Sequence, residues 1–201
     1  MTTSLHLCLV RHGQTAWNVE RRVLGRTDIS LDDTGRHQAG ALARVVGPFD
    51  AVWASPLLRA RETAGALIRG AEQAVRIEAA LTEMDQGELD GLGETEMIAQ
   101  YGGMMAAWRA DPEHTRLPMG ETMGEVRDRA LAGLERIASQ HASGRVIVVT
   151  HQLTLAATLC TLSGEPLTRW RSYTHPNTAW ADVEWHPDRR VLTIRNGPHL
   201  A

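Results

Sequence analysis

Two short apolar runs each stop at a histidine, and they constrain the fold of this chain more than any other feature. Leu5 to Val10 runs into Arg11-His12-Gly13, and Arg145 to Thr150 runs into His151. Residues Val146 to Val149 are all β-branched, which favours strand over helix. A strand that is apolar on both faces must be covered on both faces, the condition met by a parallel sheet between helices. Further strand patterns lie at Ala51–Ala54, Thr178–Trp185 and Val191–Arg195. Helical patterns fill the intervals. One spans Asp33 to Val46 and is stopped by Gly47-Pro48. Another opens at Ser55-Pro56, read as an N-cap and a first-turn proline, and ends near Gly70. A third spans Thr122 to His141 with Met123, Val126, Ala130, Leu134 and Ile137 on one stripe. A fourth follows His151 as far as Gly164.

This alternation predicts an α/β fold in three layers, a mainly parallel sheet with helices on both faces. The last two strands, divided by His186-Pro187-Asp188, predict a hairpin at one edge. The segment 94–118 has no strand pattern and two short helical pieces, Glu94–Gln100 and Met104–Ala110. It reads as a small helical cap inserted into a single domain covering residues 1–201.

A chain of 201 residues buries enough surface to fold without a disulfide or a metal. Cys8 and Cys160 lie in apolar runs outside any Cys-x-x-Cys pair, as reduced core thiols do. The net charge is −3 and there is no strong basic patch, which argues against nucleic acid or an anionic membrane as partner. No apolar stretch is long enough to span a bilayer, and the N-terminus lacks a basic start followed by a long apolar segment. A cytoplasmic protein is expected, and a homo-oligomer is compatible with the sequence.

In open α/β sheets ligands bind beyond the carboxyl ends of strands. A neutral imidazole is well populated near pH 7 and can act as a nucleophile if its other nitrogen is tied down. For His12 a backbone carbonyl near Gly13 would serve. Arg11 beside it suits an anion, as does Arg59 in the first turn of the helix after Ala51–Ala54. The alternative for Arg11-His12 taken alone is a solvent-facing strand end. No phosphate-binding loop, dinucleotide fingerprint or nucleophile elbow occurs, and no His-Glu-x-x-His or similar metal-ligand spacing. No metal or cofactor is expected.

The pattern Arg11-His12-Gly13-x-Thr15-x-x-Asn18 resembles the signature of the histidine phosphatase superfamily, which includes the cofactor-dependent phosphoglycerate mutases. Further pieces match in order. Ser55, Arg59 and Thr63 stand where the family has Ser-x-x-x-Arg-x-x-x-Thr, and Leu81-Thr82-Glu83 where it has Leu-x-Glu. Thr150-His151 closes the set. Gly25 to Leu31 resembles a loop beside the substrate, and Pro118 to Thr122 a Pro-Gly-Gly-Glu-Ser turn. There are departures: Leu89 replaces a tryptophan, Asp90 a glutamate, and Gln152 a glycine that commonly follows the second histidine.

The resemblance implies a phosphoryl group held by Arg11, Arg59, His151 and Asn18, near Gly25 and Gln152. His12 would be the nucleophile, Glu83 the general acid and base, and His151, protonated by the phosphate, a donor to it. Asp85 and Glu88 are rivals to Glu83. The implied partner is a small phosphorylated metabolite. The cap is short, with only Arg109 and Arg116 as cations, which favours a phosphatase over mutase-type phosphoryl transfer. A binding or regulatory protein on the same scaffold is the third reading. Arg21, Arg22 and Arg26 cluster near the first motif, as solvated charges or as contacts to a second acidic group of the substrate.

Overall fold

The computed structural model describes residues 4–68, 70, 73–186 and 190–195. Its elements are β1 (Leu5–Arg11), α1 (Ala16–Val19), α2 (Asp33–Val45), β2 (Ala51–Ala54), α3 (Leu58–Gly65), β3 (Val75–Ile77), α4 (Glu94–Ala110), α5 (Met123–Ala138), β4 (Gly144–Thr150), α6 (Gln152–Leu162), β5 (Trp180–Trp185) and β6 (Arg190–Arg195). Short 3-10 turns lie at Ala79–Leu81, Gly87–Leu89 and Leu167–Tyr173.

The strands form one sheet in the order β3-β2-β4-β1-β5-β6. The first four are parallel; β5 is antiparallel to β1, and β6 to β5. Side chains alternate across β1. Leu5, Leu7 and Leu9 pack on one face with Leu134 and Ile137 of α5 and Leu155 and Leu159 of α6. Cys8 and Val10 pack on the other with Leu42 of α2 and Ala60 and Ala64 of α3. Each fully buried leucine or valine in these layers contributes about 1.5–3 kcal/mol. A third cluster joins the segment 94–118 to α6, where Met105, Trp108 and Leu117 meet Ala156 and Cys160. The three-layer α/β architecture is as the strand pattern predicts.

Local boundaries differ for identifiable reasons. α3 begins at Leu58 rather than at Ser55-Pro56, and its N-cap Leu57 has no side-chain cap. The Ser55 hydroxyl instead accepts from Leu57 N–H at 3.3 Å and meets His151. α3 also ends at Gly65, short of Gly70. α4 is one run with a bend at Tyr101 (φ −127°, ψ 15°) instead of two separate pieces. β5 starts at Trp180 because Thr178 takes a left-handed backbone, φ 61°. The edge strand β3 has only three residues, one half-buried and two exposed, too little pattern to read in sequence. α5 opens as expected, with Thr122 and Glu125 forming a reciprocal cap, and stops at Ala138. The predicted turn at His186-Pro187-Asp188 lies partly outside the described residues, but β5 and β6 pair across it, Trp185 opposite Arg190.

Candidate active site

β1 and β4 are parallel neighbours in a register that sets Arg11 opposite Thr150. The residues that follow, His12 and His151, therefore emerge side by side, their ring centroids 5.1 Å apart. Gly13 is needed here for closeness rather than for a left-handed turn. A Cβ on it would stand 2.7 Å from the Gly35 carbonyl oxygen.

His12 is 3% exposed. Its Nδ1 lies 2.6 Å from the Gly13 carbonyl oxygen. A carbonyl can only accept, so Nδ1 carries the proton and Nε2 keeps its lone pair. Burial, then the charges of Arg59 and Arg11, hold the imidazole well below its usual pKa. The ring is neutral at physiological pH.

Arg11 donates from Nη1 to the His175 carbonyl at 2.6 Å, while its buried Nε has no hydrogen-bond partner. Burial lowers its pKa to about 10, so it stays charged. Arg59 is fully buried. It donates to the carbonyls of Gly25 (2.7 Å) and Thr27 (2.9 Å) and to His151 Nδ1 (3.2 Å). Thr63 joins the two motifs: its hydroxyl donates to Arg59 O and accepts from Gly13 N–H. His151 accepts from Arg59 at Nδ1 and meets Ser55 Oγ at 2.7 Å through Nε2. Burial first, then Arg59 and His12, keep its pKa well below the usual value. His151 is thus a neutral ring with its proton on Nε2, not the cation expected with phosphate bound.

Glu83 is also buried. Its carboxyl accepts from the N–H groups of Met84, Leu153 and Thr154 and from the Thr154 hydroxyl, all within 2.9–3.1 Å. It sits on the first turn of α6, against the N–H groups of Leu153 and Thr154. The rivals are engaged elsewhere: Asp85 pairs with Arg26, and Glu88 accepts from Tyr101.

A cavity of about 270 Å³ opens over this group. Arg11, His12, Asn18 and Glu83 line its inner end, with Gln152 and Leu153 from α6. Met97, Met105, Trp108 and Arg109 of α4 line the cap side, and Trp170 and Arg171 close it. Gly25, Arg59 and His151 do not line it; they form the layer beneath. Gly25 gives its carbonyl to Arg59 and its N–H to Asp90 Oδ1 at 2.8 Å. Asp90 Oδ2 also accepts from the N–H and hydroxyl of Thr27. This aspartate therefore clamps the loop that holds Arg59. Asn18 Oδ1 accepts from Thr15 N–H and Oγ1, capping α1 while facing the cavity.

The sequence motifs give no sign of the segment that supports His12 from the other side. Asn177 Nδ2 donates to the His12 carbonyl at 2.9 Å, and Thr178 N–H donates to Arg11 O at 3.0 Å. The available signal is the Pro176-Asn177 turn pair just before the strand pattern that begins at Thr178. Among the described residues no cluster of three or more His, Cys, Asp or Glu side chains is placed to hold a metal ion. No helix among them is long and apolar enough to cross a membrane.

Comparison with known proteins accords with this geometry. The Histidine phosphatase superfamily (branch 1) profile matches residues 7–197. Phosphoserine phosphatase 1 of Hydrogenobacter thermophilus is 28% identical over 192 residues, 94% of this chain and 91% of that protein. The 2,3-bisphosphoglycerate-dependent phosphoglycerate mutase 2 of Gloeobacter violaceus is 36% identical over 164 residues, 78% of this chain and 74% of that one. The solved structure of a mycobacterial glucosyl-3-phosphoglycerate phosphatase in complex with VO3 superposes with a TM-score of 0.86 at 29% identity, covering 96% of this chain and 99% of that one. The chain belongs to the histidine phosphatase superfamily, branch 1.

Proposed function

We propose that this phosphoric monoester hydrolase acts on a small phosphorylated metabolite through a covalent phosphohistidine on His12. The observation that carries the reading is the Nδ1–Gly13 hydrogen bond, which leaves an unprotonated Nε2 beside Arg11 at the inner end of the cavity. Nε2 attacks phosphorus in line, the N–P bond forms, and the ester P–O bond breaks. Arg11, from the unpartnered Nε side, neutralises the phosphoryl oxygens. The leaving oxygen takes a proton from Glu83. Glu83 then takes one from water, which attacks phosphorus and releases phosphate as the N–P bond breaks. Water and monoester are the only reactants, so the balance closes.

Arg59 acts from the layer beneath, by holding His151 and the 25–27 loop. His151 is available as a hydrogen-bond donor through Nε2–H once it turns from Ser55, and a bound dianion would raise its low pKa. Gln152 and Asn18 face the same space and are candidate contacts for the ester. The short cap supports hydrolysis over retention of a bisphosphate: Arg116 is committed to Glu125 and to the Gly120 carbonyl, leaving Arg109 as the cap's cavity-lining cation. Both cysteines are free and buried, in keeping with a cytoplasmic setting.

Phosphate release from an aryl phosphate, wild type against His12→Ala, tests this. Loss of release in the variant is expected. Equal rates would remove the enzymatic reading, and efficient interconversion of 3- and 2-phosphoglycerate would replace hydrolysis with mutase chemistry.

A further inference from the structure

The cavity carries more positive charge than one phosphoryl group requires. Four arginines, Arg11, Arg22, Arg109 and Arg171, face one carboxylate, Glu83. Arg22 is neutralised by Glu20 at 2.6 Å and donates to the Gly91 carbonyl. Arg26 is committed to Glu121 and Asp85, and Arg21 lies outside this lining. The arginines near the first motif are therefore not surplus to the cavity.

Arg109 and Arg171 are. They reach it from different elements, the last turn of α4 and the 3-10 turn Leu167–Tyr173. Among the described residues neither has an acidic partner within ion-pair distance. They are close enough that Arg109, after burial, lowers the pKa of Arg171. Both are exposed residues that line the same cavity, and two like charges there repel until an anion lies between them. The wall is also stiff. The Arg171 guanidinium lies 4.4 Å from the centre of the Trp170 ring, and Trp170 meets Trp108 edge to face at 5.6 Å. Stacking fixes the guanidinium plane and reduces the entropy lost on binding. The same cavity is also lined by Met105, Trp108 and Leu153, with Gln86 and Gln152 among them.

We propose that Arg109 and Arg171 form a second anion subsite, and that the preferred substrate is a phosphate monoester whose organic body carries a further carboxylate or phosphate. The inference rests on the reading of His12 as the site of phosphoryl transfer. The ester would lie with its phosphoryl group at Arg11 and His12, its carbon body against Met105, Trp108 and Leu153, and its second anion between the guanidinium groups of Arg109 and Arg171.

The test uses matched pairs that differ only in the second anion: O-phosphoserine against O-phosphoethanolamine, 4-carboxyphenyl phosphate against phenyl phosphate, and 1,4-butanediol bisphosphate against 4-hydroxybutyl phosphate. Two readouts are taken, kcat/KM in wild type and calorimetric affinity in His12→Ala, where binding is measured without turnover. The expectation is a preference of about tenfold for the dianionic member of at least one pair, equivalent to one or two charge-assisted hydrogen bonds. In Arg109→Gln/Arg171→Gln that preference falls below threefold, with the ratio within each pair as the internal reference. A preference below threefold in every pair, or one that survives in the double variant, overturns the subsite. Failure of the underlying reading looks different: His12→Ala would then hydrolyse both members as fast as wild type. A preference for carboxylate only, or for phosphate only, identifies which anion the pair of arginines takes.

Discussion

Arg59 Nε–H donates to His151 Nδ1 across 3.2 Å, from a guanidinium that is sealed from the cavity by the residues above it. One arginine thereby sets the tautomer of the second histidine and, through the carbonyls of Gly25 and Thr27, the position of the neighbouring loop. Arg59→Lys keeps the charge but cannot serve three acceptors in a plane. A fall in kcat/KM of about 100-fold is expected, with a loss of about 2–4 kcal/mol in stability from buried groups left unpaired. Steady-state kinetics and denaturant unfolding check both. Unaltered kinetics would show that His151 orients itself without Arg59.

Asp90 acts one step further back. Its two oxygens hold Gly25 N–H, Thr27 N–H and the Thr27 hydroxyl. Asp90→Asn removes one acceptor oxygen and places an amide against a donor. About tenfold loss in kcat/KM is expected, carried by Arg59 rather than by any contact with substrate. Combining Asp90→Asn with Arg59→Lys should then cost less than the sum of the two, because both act through one loop. Additive losses would separate Asp90 from Arg59.

The two histidines make stability depend on pH. In the folded protein both have pKa values well below the ordinary value, chiefly through burial. Unfolded, they take up protons near pH 6.5. Below that point the unfolded chain binds more protons than the native one. Stability is therefore complete above pH 6.5 and falls as the pH drops below it, by up to about 1.4 kcal/mol per pH unit for each histidine. Urea unfolding at pH 7.5 and 5.5 checks this. The loss on acidification should be smaller in His151→Gln. An equal loss in that variant would assign the dependence to other groups.

Met119 stands in the turn after Pro118 with φ 58°, is 83% exposed, and replaces a glycine expected from the family turn. Met119→Gly relieves a left-handed backbone while sacrificing little packing. A gain of about 0.5–1 kcal/mol is expected, read as a rise in thermal midpoint with unchanged denaturant slope. A lower midpoint would mean that the side chain packs in solution.

The central strands were legible because burial on both faces leaves a continuous apolar run, and each run ended at a histidine. Arg11 and His12 could be picked out for the same reason, since they end the first of those runs, whereas Glu83 was named through the Leu-x-Glu resemblance, with Asp85 and Glu88 as rivals. Arg59 was expected beside the anion, but its burial under the cavity could not be read, since its partners Gly25, Thr27 and His151 are distant in sequence. Ser55 looked like a helix cap because serine before proline usually is one. Its hydroxyl is taken by His151, 96 residues away. Thr178 was hidden because it is β-branched and leads into Ala179-Trp180-Ala181, which read as strand although Thr178 adopts φ 61°. Arg171 and Trp170 gave no local signal, because their role depends on where the cap places Trp108 and Arg109.

The most direct measurement is rapid quenching of wild type with a 32P-labelled monoester, followed by mapping of the labelled residue. The account predicts a phosphoryl group on His12, stable to base and labile to acid, that forms and decays within a turnover and is absent from His12→Ala. Turnover with no labelled protein, or label that persists in His12→Ala, would contradict it.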